Sequence, residues 1–248
     1  MKVTLLIPIF NHGETIGGVV ASLARYGLPC LIVDDGSALA TREILDALER
    51  EHDFVSVHRR KRNGGRGAAL KEGYRVAAAH GFTHALQLDA DAQHCADDVP
   101  SFLEAMAHQP EALVLGAPRF DESAPRARLY GRQLSRGLVW LTTLSFSVDD
   151  PLCGFRGIPL VPTCALLVGT QLGDHMEFDP QLVIALVRRG VPVVNVPTQV
   201  VYAEGGLSHF DMVQDNLRLS GVYTRALAGL PAFALRRRRG EGGARGSR

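Results

Sequence analysis

The sequence predicts an α/β protein with a doubly wound, mostly parallel sheet and helices on both faces of that sheet. Short apolar runs of the length that suits buried parallel strands recur along the chain. Segments with helical periodicity separate the first four runs, and polar clusters follow three of them. Right-handed crossovers between such strands place helices on both faces, and ligands then bind beyond the carboxyl ends of the strands.

The elements follow in a regular order through the first half of the chain and a looser one through the second. Strands are predicted at residues 3–9, 30–33, 55–57, 85–88, 113–115 and 193–196. Helices are predicted at residues 15–25, 40–51, 67–80, 126–147, 180–189 and 212–230, with a loop at residues 149–157. No repeat or interior linker interrupts residues 1–235, so these residues are expected to form one domain. Residues 236–248, rich in Arg and Gly, are expected to be a disordered tail.

Composition excludes several classes of protein. The chain has 248 residues and a net charge of +1, which argues against a surface built for nucleic acid, so no nucleic-acid partner is expected. The four cysteines lie far apart without a CxxC pair, which indicates neither a zinc knuckle nor a disulfide framework and favours the cytoplasm. The N-terminal apolar run ends too early for a signal peptide, and the longest weakly polar segment, residues 138–148, is too short to span a bilayer.

Asp89, Asp91 and Gln93 form the strongest candidate for a chemical site. Side chains two residues apart in extended or turning backbone point to the same side, so the two carboxylates share one space. At about 6 Å and an effective dielectric near 20, their repulsion is roughly 3 kcal/mol, so a cation is expected there. Hard oxygen ligands suit Mg²⁺ or Mn²⁺, which takes its remaining ligands from water and substrate phosphates. The alternative is a solvated acidic turn, and His94 is expected to support the site by hydrogen bonding.

Two further clusters fall at predicted strand ends or helix entries. Asp34 and Asp35 precede Gly36 and Ser37. Gly36 suits a turn and Ser37 a helix N-cap, so the pattern has a purely local explanation. The two carboxylates could instead accept hydrogen bonds from a nucleoside base or a ribose. Residues 62–70 place three glycines at the opening of a helix, where free backbone amides can meet an anion. Glycine-rich helix entries are common, so this second pattern alone decides nothing.

Five motifs in sequence resemble those of family 2 glycosyltransferases with the GT-A fold. They are residues 8–11 (PIFN), 33–37 (VDDGS), 63–69 (NGGRGAA), 88–94 (LDADAQH) and 150–157 (DPLCGFRG). Within that family the chain is most similar to dolichyl-phosphate mannosyltransferases and their bacterial polyprenyl-phosphate relatives, over residues 2–210. Phe10 stands where the family usually has Tyr, His12 where it has Glu, and Arg66 where it has Lys.

The resemblance implies a nucleotide-diphosphate sugar donor, UDP- or GDP-linked, a divalent metal and inversion at the anomeric carbon. It implies that Asp89 lies near the ribose and the metal, that Asp91 and Gln93 hold the metal and the diphosphate, and that Asp91 is essential for catalysis. The other donor-binding residues that it implies are Pro8, Phe10, Asn11, Asp35, Arg66 and His209. His209, in a loop expected to close over the diphosphate, would touch the leaving phosphate.

The later chain carries the residues expected to meet the acceptor. By the same resemblance Arg119, Arg132 and Ser135 bind the acceptor, with arginines on successive turns clamping a lipid phosphate; a solvated helix face is the alternative. A hydroxyl acceptor requires a general base, for which Asp150 and Glu177 are both candidates. A phosphate acceptor, being already anionic, requires none.

Three classes of function remain open. The first is a metal-dependent, inverting glycosyltransferase that acts on a lipid-linked or membrane-associated acceptor, in the cytoplasm and with a peripheral contact at the inner face of the membrane. The second is a nucleotidyltransferase, and the third is a noncatalytic module that binds nucleotide sugar or lipid. The segment from residue 212 to the arginines at 236–239 either packs on the core or lies on the membrane as an amphipathic helix.

Overall fold

A seven-stranded sheet forms the centre of the part of the chain that the structure describes. The structure is a computed structural model, and it describes residues 1–119, 126–200 and 214–239. The strand order across the sheet is β3-β2-β1-β4-β6-β5-β7. The strands are β1 (Val3–Ile9), β2 (Cys30–Asp34), β3 (Val55–Arg59), β4 (His84–Gln87), β5 (Leu113–Arg119), β6 (Arg156–Pro159) and β7 (Val193–Gln199).

Helices follow most of the strands, as the alternating pattern predicts. They are α1 (Gly13–Leu23), α2 (Leu39–Glu51), α3 (Arg66–Ala79), α4 (Val99–His108), α5 (Arg126–Thr143), α6 (Leu160–Gly169), α7 (Phe178–Arg188), α8 (Gln214–Ala228) and α9 (Leu230–Arg238). α9 continues to Arg238, so the boundary predicted at residue 235 falls inside a helix. Residues 240–248 of the predicted tail lie outside the described residues.

Two hydrophobic layers cover the two faces of the sheet, which confirms the doubly wound prediction. Along β1, Leu6 packs into one layer while Leu5 and Ile7 pack into the other, as the alternation of side chains in a strand requires. The Leu6 layer is completed by α3, α5, α6, α7 and α8, and the opposite layer by α1, α2 and α4. All three side chains are 0% exposed, and each contributes about 1.5–3 kcal/mol by burial.

One strand runs against the others. β6 pairs antiparallel with both β4 and β5, whereas the remaining pairs are parallel. The loop predicted at residues 149–157 is therefore wrong at its end, because Arg156 and Gly157 belong to β6. β6 is only four residues long and begins with a fully buried arginine, so its sequence lacks the continuous apolar run that marks a buried strand. Its reversed direction brings the segment before it to the carboxyl end of β4.

The C-terminal helices pack on the core in part. Four apolar side chains of α8 are buried, in agreement with the core-packing alternative, but Leu217 is 68% exposed and α9 buries none of its side chains; the four are Leu219, Val222, Tyr223 and Ala226. No helix within residues 1–119, 126–200 and 214–239 is long and apolar enough to cross a membrane.

Candidate functional site

A cavity of about 420 Å³ opens at the carboxyl ends of β1, β2 and β4. It lies where ligands bind in open α/β sheets. Seven residues predicted from the sequence line it: Pro8, Phe10, Asp35, Arg66, Asp89, Asp91 and Gln93. The three polar clusters that follow separate strands or open a helix in the sequence therefore meet at one place.

Asp35 holds the glycine-rich loop in position. Its buried carboxylate accepts hydrogen bonds from the backbone N–H groups of Gly64, at 3.0 Å, and Gly65, at 2.7 Å, and forms an ion pair with Arg60. Gly65 has a φ of +97°, and a Cβ there would lie 2.5 Å from the carbonyl oxygen of Asp174, so the position requires glycine. The carboxylate predicted to meet the nucleoside base thus also shapes the loop that borders the cavity.

Arg66 lies between two carboxylates that are distant in sequence. Its guanidinium donates to Oδ1 of Asp89 from Nε, at 3.2 Å, and from Nη2, at 2.5 Å, and it pairs through Nη1 with Asp179 at the start of α7. Burial opposes the charge on Arg66, but the carboxylates of Asp179 and Asp89 raise the pKa of Arg66 above its ordinary value. Burial would raise the pKa of Asp89, yet Arg66 and then His94 hold that pKa well below its usual range.

Asp91 has less positive charge beside it than Asp89, the other member of the acidic pair. Burial, and next the neighbouring Asp89 carboxylate, raise the pKa of Asp91 above its ordinary value. Ala92 has a φ of +59°, and this turn lets the N–H of Gln93 donate to Oδ1 of Asp91 at 3.1 Å. His94 Nε2 lies 3.5 Å from Oδ2 of Asp89, the supporting position expected from the sequence. The site has an excess of negative charge at Asp91, as the spacing predicts.

The residues present fit a divalent cation that shares its coordination with a substrate. Asp89, Asp91 and Gln93 supply oxygen atoms at one edge of the cavity. Among the described residues no group of three or more His, Cys, Asp or Glu side chains could hold a metal ion by itself. This donor set suits Mg²⁺ or Mn²⁺, which keeps several waters and takes oxygens from substrate phosphates, better than a metal in a closed protein cage.

The segment before β6 forms the wall of the cavity beside Asp89. Arg156, 0% exposed, donates to the carbonyl oxygens of Pro151, Cys153 and Asp179, at 2.7, 2.5 and 3.2 Å. A Cβ on Gly154 would lie 1.9 Å from Oδ2 of Asp89. The Asp89 side chain therefore occupies the space that any side chain at position 154 would need. Sequence reasoning missed the structural role of Arg156, although Arg156 stands inside the motif at residues 150–157.

The structure adds cavity residues to which the sequence assigned no role. Asp179, His175, Met176, Asp215 and Arg218 line the cavity from the segment before α7, from α7 and from α8. Arg218 Nη1 donates to Asp215 Oδ1 at 3.0 Å. Asp179 and Arg218 are ionisable, and ionisable residues are candidates for a functional site. Nothing in the sequence, however, indicates that α8 reaches this edge of the sheet.

Asn11 does not line the cavity. Its Oδ1 accepts a hydrogen bond from the N–H of Ala38 at 2.8 Å, and its own N–H donates to Oγ of Ser37 at 3.0 Å. Asn11 has a φ of +56° and joins the end of β1 to the turn after β2. Its contribution to the cavity is to support the turn that contains Asp35.

The predicted acceptor and base residues lie outside the cavity. Arg132 Nη1 pairs with Asp150 Oδ2 at 2.6 Å, and Ser135 is buried within α5. Arg119 ends β5 and is exposed. The carboxylate of Asp150 also accepts the N–H of Leu152, at 2.7 Å.

Two other predicted residues are not at this cavity. Glu177 is buried and lines a second cavity between α7 and α8. His209 lies outside the described residues.

The fold and site define a protein of the GT-A class. Its sheet is mostly parallel, with one reversed strand beside β4, and an acidic pair follows β4 at the edge of a cavity. A family profile described as glycosyl transferase family 2 matches residues 4–166, more than half of the chain. The chain belongs to this family and is a glycosyltransferase, which confirms the resemblance of the five motifs.

Relatives agree with this assignment, and a solved structure shares the fold. An undecaprenyl-phosphate mannosyltransferase of Micrococcus luteus is 26% identical over 218 residues, covering 84% of this chain and 87% of the relative. A UDP-N-acetylglucosamine–dolichyl-phosphate N-acetylglucosaminyltransferase of Methanococcus voltae is 25% identical over 219 residues, covering 81% and 86%. Glucosyl-3-phosphoglycerate synthase of Mycobacterium tuberculosis, crystallised with Mn²⁺, UDP and glucosyl-3-phosphoglycerate, superposes with a TM-score of 0.65 at 19% identity, covering 94% of this chain and 79% of that chain. That likeness concerns the fold.

Proposed function

We propose that the protein is a metal-dependent, inverting glycosyltransferase that transfers a sugar from a nucleoside-diphosphate sugar to a lipid-linked phosphate. The observation that carries the proposal is the acidic pair Asp89 and Asp91, set at the cavity beyond β1, β2 and β4, with Asp91 left short of positive charge. The names of two relatives, an undecaprenyl-phosphate and a dolichyl-phosphate transferase, support a polyprenyl phosphate as the acceptor.

The donor is proposed to bind with its base at the end of β1. Pro8 and Phe10 line the cavity there, and an aromatic ring offers a stacking surface to a base. Asp35 and the loop that it holds border the base and the ribose, while Arg66 places a cation within reach of the phosphates. His209 is proposed to reach the leaving phosphate from the segment after β7.

Asp89, Asp91 and Gln93 are proposed to hold a Mg²⁺ or Mn²⁺ ion together with the diphosphate. When bound, such an ion neutralises the charge that develops on the departing nucleoside diphosphate. The chain's own residues position the reaction. Arg66 fixes the orientation of Asp89, and the N–H of Gln93 orients the carboxylate of Asp91. The acceptor oxygen then attacks from the face of the sugar opposite the leaving group, which inverts the anomeric configuration.

The acceptor phosphate is proposed to approach from the side of α5, where Arg119, Arg132 and Ser135 are the candidate contacts. Asp150 orients Arg132 through their 2.6 Å ion pair. An anionic phosphate needs no general base, so a lipid phosphate acceptor is compatible with a cavity that neither Asp150 nor Glu177 lines. Either carboxylate stays a candidate base for a hydroxyl acceptor.

An exposed apolar face on α5 supports a peripheral contact with the cytoplasmic face of a membrane. Tyr130, Leu134 and Leu141 are 75%, 66% and 50% exposed, and their spacing places them on one side of the helix. Phe146, just beyond the helix, is 81% exposed. Arg237 of α9 donates to the carbonyl oxygen of Leu144 at 2.8 Å, which sets the basic end of α9 beside this face. Apolar side chains flanked by arginines suit a surface that carries anionic lipids.

Transfer assays with the full chain test the proposal. UDP- and GDP-linked sugars would be offered with undecaprenyl or dolichyl phosphate in liposomes, with Mn²⁺, with Mg²⁺ or with EDTA. We expect a glycolipid product of inverted anomeric configuration, read by NMR, that requires the divalent ion. Equal transfer in EDTA would overturn the metal dependence, and retained configuration would overturn the inverting mechanism. No transfer from any donor in the panel to either polyprenyl phosphate would overturn the assignment of the acceptor.

A further inference from the structure

The acidic pair lies on a turn beyond the end of β4. The strand ends at Gln87, and the N–H of Leu88 still donates to the carbonyl oxygen of Leu6 at 3.0 Å. Residues 89–93, which include both carboxylates, belong to none of the described helices or strands. Because the ladder of the sheet does not hold these residues, their position depends on contacts from other parts of the chain.

The hydroxyl of Thr15 supplies one such contact. Its Oγ1 lies 2.6 Å from the carbonyl oxygen of Ala90, at the short end of the range for an O–H···O hydrogen bond. The same hydroxyl lies 3.3 Å from the carbonyl oxygen of His12, within its own turn. A hydroxyl has a single proton to donate, so the shorter contact identifies Ala90 as the main acceptor. Thr15 therefore binds the acidic turn in preference to its own helix.

The carbonyl of Ala90 is well placed to control the acidic pair. Ala90 stands between Asp89 and Asp91 and is 3% exposed. Its carbonyl belongs to the peptide group that leads to Asp91. Because a peptide group is planar, a hydrogen bond to this oxygen fixes the direction in which the chain continues to Asp91. Without the Thr15 hydroxyl, a carbonyl of a buried residue would lose this donor, and the turn would shift to regain one.

Thr15 is itself held by the core. It lies in the first turn of α1, and the next residue, Ile16, is 0% exposed and packs in the same layer as Leu5 and Ile7 of β1. A side chain on a packed helix is placed more precisely than one on a loop. The position of the acidic turn is therefore set in part by α1.

Asp91 depends on this support more than Asp89 does. Asp89 accepts two hydrogen bonds from Arg66, which belongs to another segment. Asp91 accepts the N–H of Gln93, which belongs to the same turn and moves with it. Ala92 has a φ of +59°, a conformation that residues other than glycine seldom adopt, so the turn needs outside contacts to keep its shape.

We propose that Thr15 is a positioning residue for the divalent ion, because its hydroxyl fixes the Ala90 peptide group and so holds Asp91 beside Asp89. Thr15 does not line the cavity that the acidic pair borders, so it acts through the backbone and does not contact the ion. An ion such as Mg²⁺ demands a nearly ideal geometry, which makes its binding sensitive to a small displacement of one carboxylate. The inference rests on the proposed function, since it concerns the ion that is bound there with the nucleotide.

Nucleotide binding to the full chain, with and without the ion, tests this role. Calorimetry would measure the affinity for UDP and for GDP, each with saturating Mn²⁺ and with EDTA. T15V removes the hydroxyl and keeps the branched shape of the side chain. We expect its affinity in Mn²⁺ to fall by about tenfold or more, as for other residues that orient metal ligands. Its affinity in EDTA should not change, because the nucleoside is proposed to bind at Pro8, Phe10 and Asp35.

Three further variants serve as controls. T15S keeps the hydroxyl and should bind both nucleotides as the wild type does. S22A removes a hydroxyl of the same helix that donates to the carbonyl oxygen of Val19 at 2.7 Å, and it should also bind as the wild type does. T15A lacks the hydroxyl without introducing a new methyl group. It should reproduce the loss seen in T15V, so the test does not depend on how valine is accommodated.

Hydrogen exchange gives a readout that requires no metal. In EDTA the amides of residues 89–93 should exchange faster in T15V than in the wild type and T15S, whereas those of β1 should not. Equal losses of affinity in Mn²⁺ and in EDTA would show a merely structural role and overturn the inference. Affinities and exchange in T15V that match the wild type would also overturn it. A wild type whose affinity for neither nucleotide rises with Mn²⁺ would overturn the proposed metal site as well, so the two failures are distinguishable.

Discussion

Arg66 and Asp89 are joined by two hydrogen bonds, from Nε and Nη2 of the guanidinium to the same carboxylate oxygen, at 3.2 and 2.5 Å. Arg66 opens α3 and Asp89 follows β4, so the contact ties the glycine-rich loop to the acidic pair. The same guanidinium reaches Asp179 at the start of α7. One side chain thereby connects three segments at the edge of the cavity.

Removal of Arg66 should destabilise the protein strongly. R66A leaves Asp89 with His94 and Asp179 with Arg156 as their remaining partners, so we expect the free energy of unfolding to fall by about 1.5–3 kcal/mol, the range for a lost hydrogen bond to a charged group. R66K keeps the charge but cannot reach both carboxylates in the same geometry, so its loss should be intermediate. Urea denaturation would measure both. R50A, an exposed arginine, is the control and should change stability by less than about 0.5 kcal/mol. A loss below 1 kcal/mol in R66A would contradict the bridging role.

The Asp89 carboxylate should make stability depend on pH in the acid range. Its pKa in the folded protein is depressed below the unfolded value of about 3.9, so its stabilisation is present above about pH 4 and is lost as the pH falls further. D89N should therefore be less stable than the wild type at pH 7, and the gap between the two curves should narrow progressively as the pH falls below about 4. Denaturation series at successive pH values measure this. A constant gap across that range would show that the effect of D89N is not electrostatic.

Asp91 should matter for the metal and not for the fold. Burial and Asp89 raise its pKa, so its charge disfavours the folded state when no cation is bound. D91N should be at least as stable as the wild type in EDTA, should lose the stabilisation by Mn²⁺ with UDP, and should transfer sugar at least about 100-fold more slowly. Thermal melts and transfer assays measure the three effects, and D53N controls for the loss of an exposed acid. Undiminished stabilisation by Mn²⁺ would exclude Asp91 as a ligand.

Gly154 should be intolerant of even one methyl group. In G154A the new Cβ would overlap Oδ2 of Asp89, so the carboxylate must move away from Arg66 or from its place in the cavity. We expect weaker binding of Mn²⁺ with UDP by calorimetry, together with a loss of stability. G137A is the control, since a Cβ at Gly137 of α5 meets nothing within 4 Å and should stabilise the helix by about 0.5–1 kcal/mol. Unchanged affinity in G154A would mean that the position of Asp89 is unimportant.

The apolar face of α5 should bind membrane. The double variant L134S and F146S removes two exposed apolar side chains and should lower binding to vesicles that contain anionic lipid, measured by cosedimentation. Transfer to liposomal acceptor should fall in parallel, while the affinity for UDP with Mn²⁺ should not change. V168S replaces a valine of α6 that is 89% exposed and serves as the matched control. Equal loss in both variants would indicate that this face has no special role.

The first half of the fold and the cavity beyond β1, β2 and β4 could be predicted from sequence because their signals are local. The buried strands read as apolar runs, and Asp35, Asp89 and Asp91 each follow the end of one. The sheet rule then brings them together. The short strand β6 was missed because Arg156 replaces the apolar residue expected at a buried strand. Its partners are backbone carbonyl oxygens and the carboxylate of Asp179, and no residue pattern reveals them.

The contacts made by α5, α7 and α8 were less predictable because they join distant parts of the chain. The sequence around Arg132 predicts a helix whether the arginine faces solvent or pairs with Asp150, which lies 18 residues later. Arg66 and Asp179 are 113 residues apart. Arg218 and Glu177 line one cavity from α8 and from the start of α7, and the sequence of neither helix specifies that arrangement.

The reversed strand also has a consequence for synthesis on the ribosome. β4 is paired on one side by β1 and on the other by β6, which follows it by about 70 residues in the chain. Until Arg156–Pro159 has emerged, a nascent chain that has already folded β1 to β4 presents β4, with its fully buried residues, as an open edge. Open apolar edges recruit other strands, so the growing polypeptide is exposed to aggregation during this interval.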